Sequence, residues 1–355
     1  MIMKAIFALP DMGSGGAERV VSILCREFSR KGIETEIWML FGNRIHYELP
    51  SDTIVKELNL LALPKIKRLP LLRKRLKKEK NITEDVSIFA LHDSSLKYIE
   101  GASLGLKIRN ISCERNNPYV KGTDVLSRIK ANFPYLCSSY SIFQTYDARK
   151  YYSIIPDKRC SVIPNPITPV SARWNGDIDS MKLISVCRLH NQKNLPMTVD
   201  VIDILKNKYP NIHLDIYGEG PLENELKELI RKRKLEKHIS LRGVTGNVVE
   251  KLANSSVFIS TSDFEGISNS MLEAMSVGMP IVCTDCPIGG AALMLSDGAG
   301  LLSGVGDAES FASSVDTVLT NKDYAKELAL RAYEKSQLYS PEKIAEQWLE
   351  TMKRK

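Results

Sequence analysis

Long apolar runs are missing from this sequence. Nowhere do about 18 consecutive residues stay apolar and uncharged, so a membrane-spanning helix is not supported. The apolar start, Met1 to Leu9, is too short for the core of a secretory signal and runs straight into a glycine-rich turn. Cysteine is scarce and odd in number. The seven (Cys25, Cys113, Cys137, Cys160, Cys187, Cys283 and Cys286) are scattered along 355 residues, a length that needs no covalent staples, which points to a reducing cytoplasm. Cys283 and Cys286 form a lone CxxC with no second pair and no nearby His, whereas a structural zinc takes about four ligands. Glycine and proline show no enrichment, and 43% hydrophobic with 26% charged residues is ordinary for a globular chain, so collagen-like, low-complexity and disordered readings are excluded.

Net positive charge is also missing from most of the chain, although the total is +7. Lys65, Lys67, Arg68, Arg73, Lys74, Arg75, Lys77, Lys78 and Lys80 stand against the single acid Glu79, a local excess of +8, so the remaining residues sum to −1. The protein is not generally basic; it carries one basic patch. Leu69, Leu72 and Leu76 recur within it at helical spacing, although Pro70 restricts the first turn, and predict a short amphipathic helix. Such a helix suits an anionic membrane surface or the diphosphate of a lipid-linked acceptor. No aromatics interleave with the bases, which argues against nucleic acid.

The length predicts two domains. Met3 to Leu9 reads as a strand, Asp11 to Gly16 as a turn, and Ala17 to Phe28 as a helix with Val20, Val21, Ile23, Leu24 and Phe28 at helical spacing. Further strands are expected at Thr35–Phe41, Val86–Leu91, Lys107–Ser112 and Ser139–Thr145. Prolines around Val162–Pro166 and the polar stretch Ser171–Ser180 read as a linker. A second alternation follows, with strands at Lys182–Cys187, His213–Tyr217, Ile239–Arg242, Val257–Thr261 and Pro280–Thr284. Helices are expected between them at Leu195–Lys208, Leu222–Arg233, Val248–Asn254 and Ser268–Ser276. Strands alternating with helices imply parallel, doubly wound α/β sheets. A last helix opens at Ser340-Pro341 and shows Ile344, Trp348, Leu349 and Met352 on one face, so it should dock. The expected division is residues 1–168, a linker at 169–180, residues 181–338, and a final helix at 339–355.

Open α/β sheets bind ligands at the carboxyl ends of their strands, near a topological switch. The Gly13-Ser14-Gly15-Gly16 turn has such a place, but Glu18 occupies the third glycine position of the dinucleotide fingerprint, so that motif fails. In the second half, Arg188 and Lys193 share one strand-end loop, a pairing suited to a diphosphate that gathers negative charge. Glu265 lies at another strand end. Glu273 interrupts the apolar Met271, Leu272, Ala274 and Met275, where an acid is costly unless paired or bound to a ligand; a ribose diol is a natural partner.

Glu265 and Glu273 resemble the E-x7-E signature of retaining nucleotide-sugar glycosyltransferases of GT-B fold, and Glu265-Gly266-Ile267-Ser268-Asn269-Ser270 through Pro280 looks like family 4. Gly15-Gly16-Ala17-Glu18-Arg19, Ile163-Pro164-Asn165-Pro166, Arg188 with Lys193, and Gly218-Glu219-Gly220-Pro221 fall in the family's order, so the likeness covers nearly the whole chain. The resemblance implies two Rossmann-like domains facing a cleft, an acceptor-binding one first and a nucleotide-sugar-binding one second, with the last helix packing back toward the first. It implies that Arg188 and Lys193 bind the donor diphosphate, that Glu265 touches donor-sugar hydroxyls, and that Gly266, Ile267, Ser268 and Asn269 lie beside the phosphates. Glu273 would hold the ribose, and Gly15 and Gly16 would face the diphosphate on closure. Where many relatives carry a His, this chain has Glu114-Arg115, as some bacterial surface-polysaccharide enzymes do, which makes Glu114 and Arg115 acceptor-side candidates. His92 is a lesser one. The Gly289-Gly290-Ala291-Ala292 stretch lacks a Glu often found in relatives.

Asp177-Ile178-Asp179 matches the D-x-D of metal-dependent glycosyltransferases but falls in the expected linker, and GT-B enzymes use protein cations instead. No metal or cofactor is therefore expected. The expected activity is transfer of a hexose or N-acetylhexosamine from a nucleotide diphosphate-sugar, UDP being the commonest in the family, to a lipid-linked or oligosaccharide acceptor. Such transfer belongs to O-antigen, capsule or lipopolysaccharide synthesis on the cytoplasmic face of the inner membrane. A GT-B sugar-nucleotide epimerase and a non-catalytic nucleotide-sugar or polyanion binder are the alternatives. The E-x7-E spacing with Arg188 and Lys193 argues against both.

Overall fold

The computed structural model describes residues 3–82 and 85–353; the side chain of Lys80, and residues 354 and 355 of the expected final segment, lie outside the described parts. The chain divides into two compact units, residues 1–166 with 341–355, and residues 167–340.

The first unit runs β1 (Lys4–Leu9), α1 (Gly16–Arg30), β2 (Glu34–Met39), β3 (Ile54–Glu57), α2 (Lys65–Ile82), β4 (Val86–Ala90) and α3 (Asp93–Ser103). It continues with β5 (Arg109–Glu114), α4 (Val125–Cys137), β6 (Tyr140–Phe143), α5 (Tyr146–Tyr151) and β7 (Cys160–Val162). The strands are parallel in the order β3-β2-β1-β4-β5-β6-β7, so the switch lies between β1 and β4. β1, buried along its whole length, carries from Ala5 to Leu9 the continuous apolar run that a central parallel strand requires.

The second unit runs β8 (Lys182–Val186), α6 (Leu195–Leu205), β9 (His213–Tyr217), α7 (Glu223–Lys232), β10 (Ile239–Gly243), α8 (Val248–Ala253), β11 (Val257–Ser260) and α9 (Asn269–Val277). It then runs β12 (Ile281–Thr284), α10 (Gly290–Met294), β13 (Leu301–Ser303), α11 (Ala308–Thr320) and α12 (Lys322–Leu338). Its parallel order, β10-β9-β8-β11-β12-β13, puts the switch between β8 and β11. The final helix, α13 (Pro341–Lys353), belongs to the first unit.

The stretch expected as a linker is docked on the second unit. Ile167 and Ile178 are buried in its core, Trp174 N and Asn175 N donate to Val277 O and Ala253 O, and Trp174 Nε1 donates to Ser255 O at 2.9 Å. Polar composition concealed the apolar anchors that hold it. Asp177 caps a turn through Ser180 N, and Asp179 pairs with Lys322.

Helix α13 buries Trp348 completely, with its ring 5.1 Å from Phe89 and 6.4 Å from Phe7, and with the Arg115 guanidinium 5.4 Å above it. At the other end of the sheet, Lys4 Nζ meets Glu36 at 2.6 Å and Glu79 at 2.9 Å, and Lys56 Nζ meets Glu79 at 2.9 Å, all but Lys56 buried. Burial pushes the Glu36 carboxyl up, but hydrogen bonds from Lys4, Lys56 and Trp38 outweigh it and hold the group below its ordinary value.

That network corrects the expectation for the basic segment. Helix α2 is 18 residues long and continues through Pro70. Leu72 and Leu76 are fully buried and Glu79 joins the Lys4 network, so much of the apolar face is spent on the fold, while Leu69 stays exposed beside Ile66. Lys65, Lys67, Lys74, Lys77 and Lys78 remain exposed.

Two outcomes follow for stability. Trp348→Ala should destabilise the first unit by about 3–5 kcal/mol in chemical denaturation. Buried Glu100 accepts from Asn110 Nδ2 at 2.5 Å and Ser138 Oγ at 2.7 Å, and burial raises its carboxyl from 4.5 to about 7. A raised folded value favours the protonated fold, so its stabilisation is present below about pH 4.5 and is lost as pH rises through about 7. Denaturation midpoints measured between these values should fall with rising pH, and Glu100→Gln should flatten that slope.

Candidate active site

The switch in the second sheet brings together the loops after β8 and β11. Right-handed connections carry α6 and α9 away on opposite faces, which opens a crevice at the strand ends. Lys193 and Glu265, 72 residues apart, form a half-buried ion pair across it, and Ser262 Oγ donates to the same carboxylate oxygen at 3.1 Å. The two loops are laced together. Asn194 Nδ2 donates to Asp263 Oδ1 at 2.7 Å, Gln192 Nε2 to Phe264 O at 2.9 Å, and Thr261 Oγ1 to Lys193 O at 3.0 Å. Arg188 stands exposed just beyond β8, with no charged partner among the described residues.

Its loop is braced from β9. Cys187 N and Leu189 N donate to Tyr217 O and Glu219 O, both at 2.9 Å. Gly218 (φ +134°) and Gly220 lie so close to the Cys187 and Leu189 carbonyls that any Cβ would overlap them. Gly290 likewise abuts the Gly266 carbonyl, so the Gly289-Gly290 pair supports the Glu265 loop by close approach. Beside it, Glu265 N donates to Pro287 O, and Ile288 is buried at φ +82°, a strained position for a β-branched residue.

Ser268 begins α9 without a side-chain cap, so the first-turn N–H groups point out of the helix as anion donors. Glu273 sits one turn in from Asn269, half-buried in an otherwise buried run. A small cavity under Glu265 is lined by Ser260, Ser262, Ser268, Cys283 and Cys286. Burial pushes the Cys286 thiol up to about 11 and raises Cys283 as well, so both stay protonated and unreactive near neutrality.

The first unit gathers its own set. Gly15 precedes α1, Tyr47 Oη donates to Ser14 O and Gly15 O, and the buried Glu18 carboxylate folds under Gly15 to meet His92 Nε2 at 3.1 Å. Glu18 and His92 therefore meet across the β1–β4 switch, a pairing that sequence spacing could not reveal. Glu114 is consumed by structure: its buried carboxylate accepts from Lys121 Nζ at 2.5 Å, Tyr135 Oη at 2.9 Å and Tyr152 Oη at 2.5 Å. Arg115 donates to Ile163 O at 3.3 Å, and burial lowers its guanidinium to about 10. Among the residues missed from sequence, Asn194 had a signal, an N-cap followed by Leu195-Pro196; Asp263 and Gln192 had none.

No group of three or more His, Cys, Asp or Glu side chains among the described residues is arranged to hold a metal ion. No helix among them is long and apolar enough to cross a membrane.

This architecture is that of GT-B glycosyltransferases. Staphylococcus aureus TarM superposes with a TM-score of 0.80 at 15% identity, covering 99% of this chain and all of that one. Anabaena HepE superposes with a TM-score of 0.79 at 18% identity, covering 99% of each. Residues 172–335 match the family described as Glycosyl transferases group 1; the chain carries a domain of that family and is a glycosyltransferase. A Campylobacter jejuni relative, an N-acetylgalactosamine-N,N'-diacetylbacillosaminyl-diphospho-undecaprenol 4-alpha-N-acetylgalactosaminyltransferase, is 28% identical over 94% of this chain and 95% of its own. The amylovoran biosynthesis glycosyltransferase AmsD of Erwinia amylovora is 25% identical over the same shares.

A Cβ at position 290 has no room against Gly266. Gly290→Ala should cost about 1–3 kcal/mol in chemical denaturation and displace the Glu265 loop. An unchanged midpoint would mean that the two loops are not in close contact.

Proposed function

We propose that the chain is a retaining glycosyltransferase that moves a hexose or N-acetylhexosamine from a nucleotide diphosphate-sugar, with UDP as the nucleotide, to a lipid-linked glycan in surface-polysaccharide synthesis. The observation that carries this reading is the Lys193–Glu265 pair at the second switch, with exposed Arg188 and the uncapped start of α9 beside it. Support for UDP comes from TarM and HepE, both crystallised with it. Support for the acceptor comes from two C. jejuni relatives, whose names specify undecaprenol-linked diphosphate acceptors.

In this mechanism Arg188, Lys193 and the N–H groups of Ser268 and Asn269 hold the diphosphate. The bond between the sugar's anomeric carbon and the β-phosphate oxygen breaks while negative charge builds on the phosphate, and cations fixed in a protein crevice stabilise that charge more than water does. Lys193 turns from Glu265 toward the phosphate as the donor enters, which frees the Glu265 carboxylate to accept from sugar hydroxyls. The Glu273 carboxylate accepts both ribose hydroxyls. The acceptor oxygen bonds to the anomeric carbon on the face the phosphate leaves, and its proton passes to the departing phosphate. Protein cations supply the charge that a metal would, so no metal is required. Arg115 belongs to the acceptor side, while Glu114 positions Lys121 and two tyrosines. Work on a lipid-linked acceptor places the chain at the cytoplasmic membrane face.

A thermal-shift panel of UDP, GDP and ADP with their sugar conjugates tests the donor class, because a ligand that binds only the folded state raises the melting temperature. The expected result is a shift confined to the UDP series and indifferent to EDTA. Lys193→Ala should lower kcat by about 100- to 1000-fold, and Glu273→Ala should chiefly weaken nucleotide binding. Wild-type turnover in Lys193→Ala, or an epimerised donor released without an acceptor, would overturn the reading.

A further inference from the structure

Of the large apolar side chains exposed among the described residues, seven fall between positions 119 and 146, and four of these line one helix. On α4, Val125, Leu126, Ile129 and Phe133 are 73, 69, 59 and 65% exposed, while only Asn132 and Tyr135 are buried. At 100° per residue the four occupy an arc about 100° wide, with Lys130 at one edge and Arg128 beyond the other. Val120, 71% exposed, extends the stripe just before the helix. Tyr135 and Asn132 anchor the helix to the core, so the outward apolar arc adds nothing to that packing and is free to meet an outside partner.

Charge indicates which partner. Residues 119–137 hold Lys121, Arg128 and Lys130 against Asp124. In the first unit α2 packs on α3 and α3 on α4, so α2, with five exposed lysines, belongs to the same helical layer. A second copy of the chain on this face would bring bases against bases, whereas an anionic bilayer offers phosphates to the bases and acyl chains to the stripe.

We propose that α4 is the element that enters the membrane interface, burying Leu126, Ile129 and Phe133 among lipid tails while the bases of α2 and Lys130 hold anionic headgroups. The proposal rests on the reading of the acceptor as lipid-linked. It also shifts the main apolar anchor: α2, whose Leu72 and Leu76 are buried in the protein, contributes chiefly charge, beside exposed Ile66 and Leu69.

The test is flotation of the full chain with vesicles of phosphatidylglycerol and phosphatidylethanolamine, and with phosphatidylcholine alone, without donor or acceptor. Binding to the anionic vesicles is expected, with little to the neutral ones. Ile129→Glu with Phe133→Glu should weaken it about tenfold or more at an unchanged melting temperature. Should that variant unfold, Phe133→Trp serves instead, and its emission should shift to the blue on adding anionic vesicles. Wild-type binding by the folded double variant, no spectral shift, or no vesicle binding at all would overturn the proposal. So would sedimentation showing a wild-type dimer that the double variant breaks, which would give the stripe to a second copy. Transfer that fails with every lipid-linked acceptor while vesicle binding stands would remove the acceptor reading alone.

Discussion

Lys193 and Glu265 can face one another only because β8 and β11 are neighbours whose helices leave on opposite sides of the sheet. That single topological fact fixes where the loops meet, and the lattice of Asn194, Gln192, Thr261 and Asp263 fixes how. Each bond in it joins a residue of one loop to a residue of the other, so neither loop has a settled shape alone. The glycines finish the work by absence: Gly218, Gly220 and Gly290 let neighbouring backbone come closer than any side chain would allow. Opposite charges held ready at a strand end form a site whose electrostatics are set before a ligand arrives, which lowers reorganisation during the reaction.

Much of this was legible in the sequence, for a physical reason. Strands buried on both sides, such as β1, β11 and β12, are nearly continuous apolar runs, and loops between them are punctuated by glycine and proline. Arg188, Lys193, Glu265 and Glu273 stood out because charge beside buried segments is costly. What escaped reading depended on long-range contact. β3 and β7 are short edge strands whose half-exposed residues carry no clear period. Glu114 looked like a site acid; only the fold shows three side-chain donors converging on it. The stretch at 169–180 read as a linker because its polar residues outnumber Ile178 and Trp174, the ones that anchor it.

Helix α2 shows how one segment can serve two masters. Half of its eighteen residues are basic, yet its only acid ties it to Lys4 and Lys56 and two of its leucines are fully buried. The structural demand falls on those three positions, about one turn apart, and on Arg68 and Arg73, which donate to Tyr98 Oη and to the Ala102 and Leu104 carbonyls, and it leaves five lysines exposed. Helix α4 divides the other way, with polar Asn132 and aromatic Tyr135 inward and aliphatic side chains outward. Apolar periodicity alone assigns the right face of α2 to the core and the wrong face of α4. Burial resolves each of them.

The place of α13 bears on the order of events during synthesis. Trp348 fills the space beside Phe7 and Phe89, but the ribosome delivers it only after the whole of the second unit. Domains generally fold as units while the chain emerges, the earlier before the later. Here that order is broken. The nascent first unit must wait with an open aromatic cleft while the second, contiguous in sequence, has every residue it needs. The unit begun first is therefore completed last.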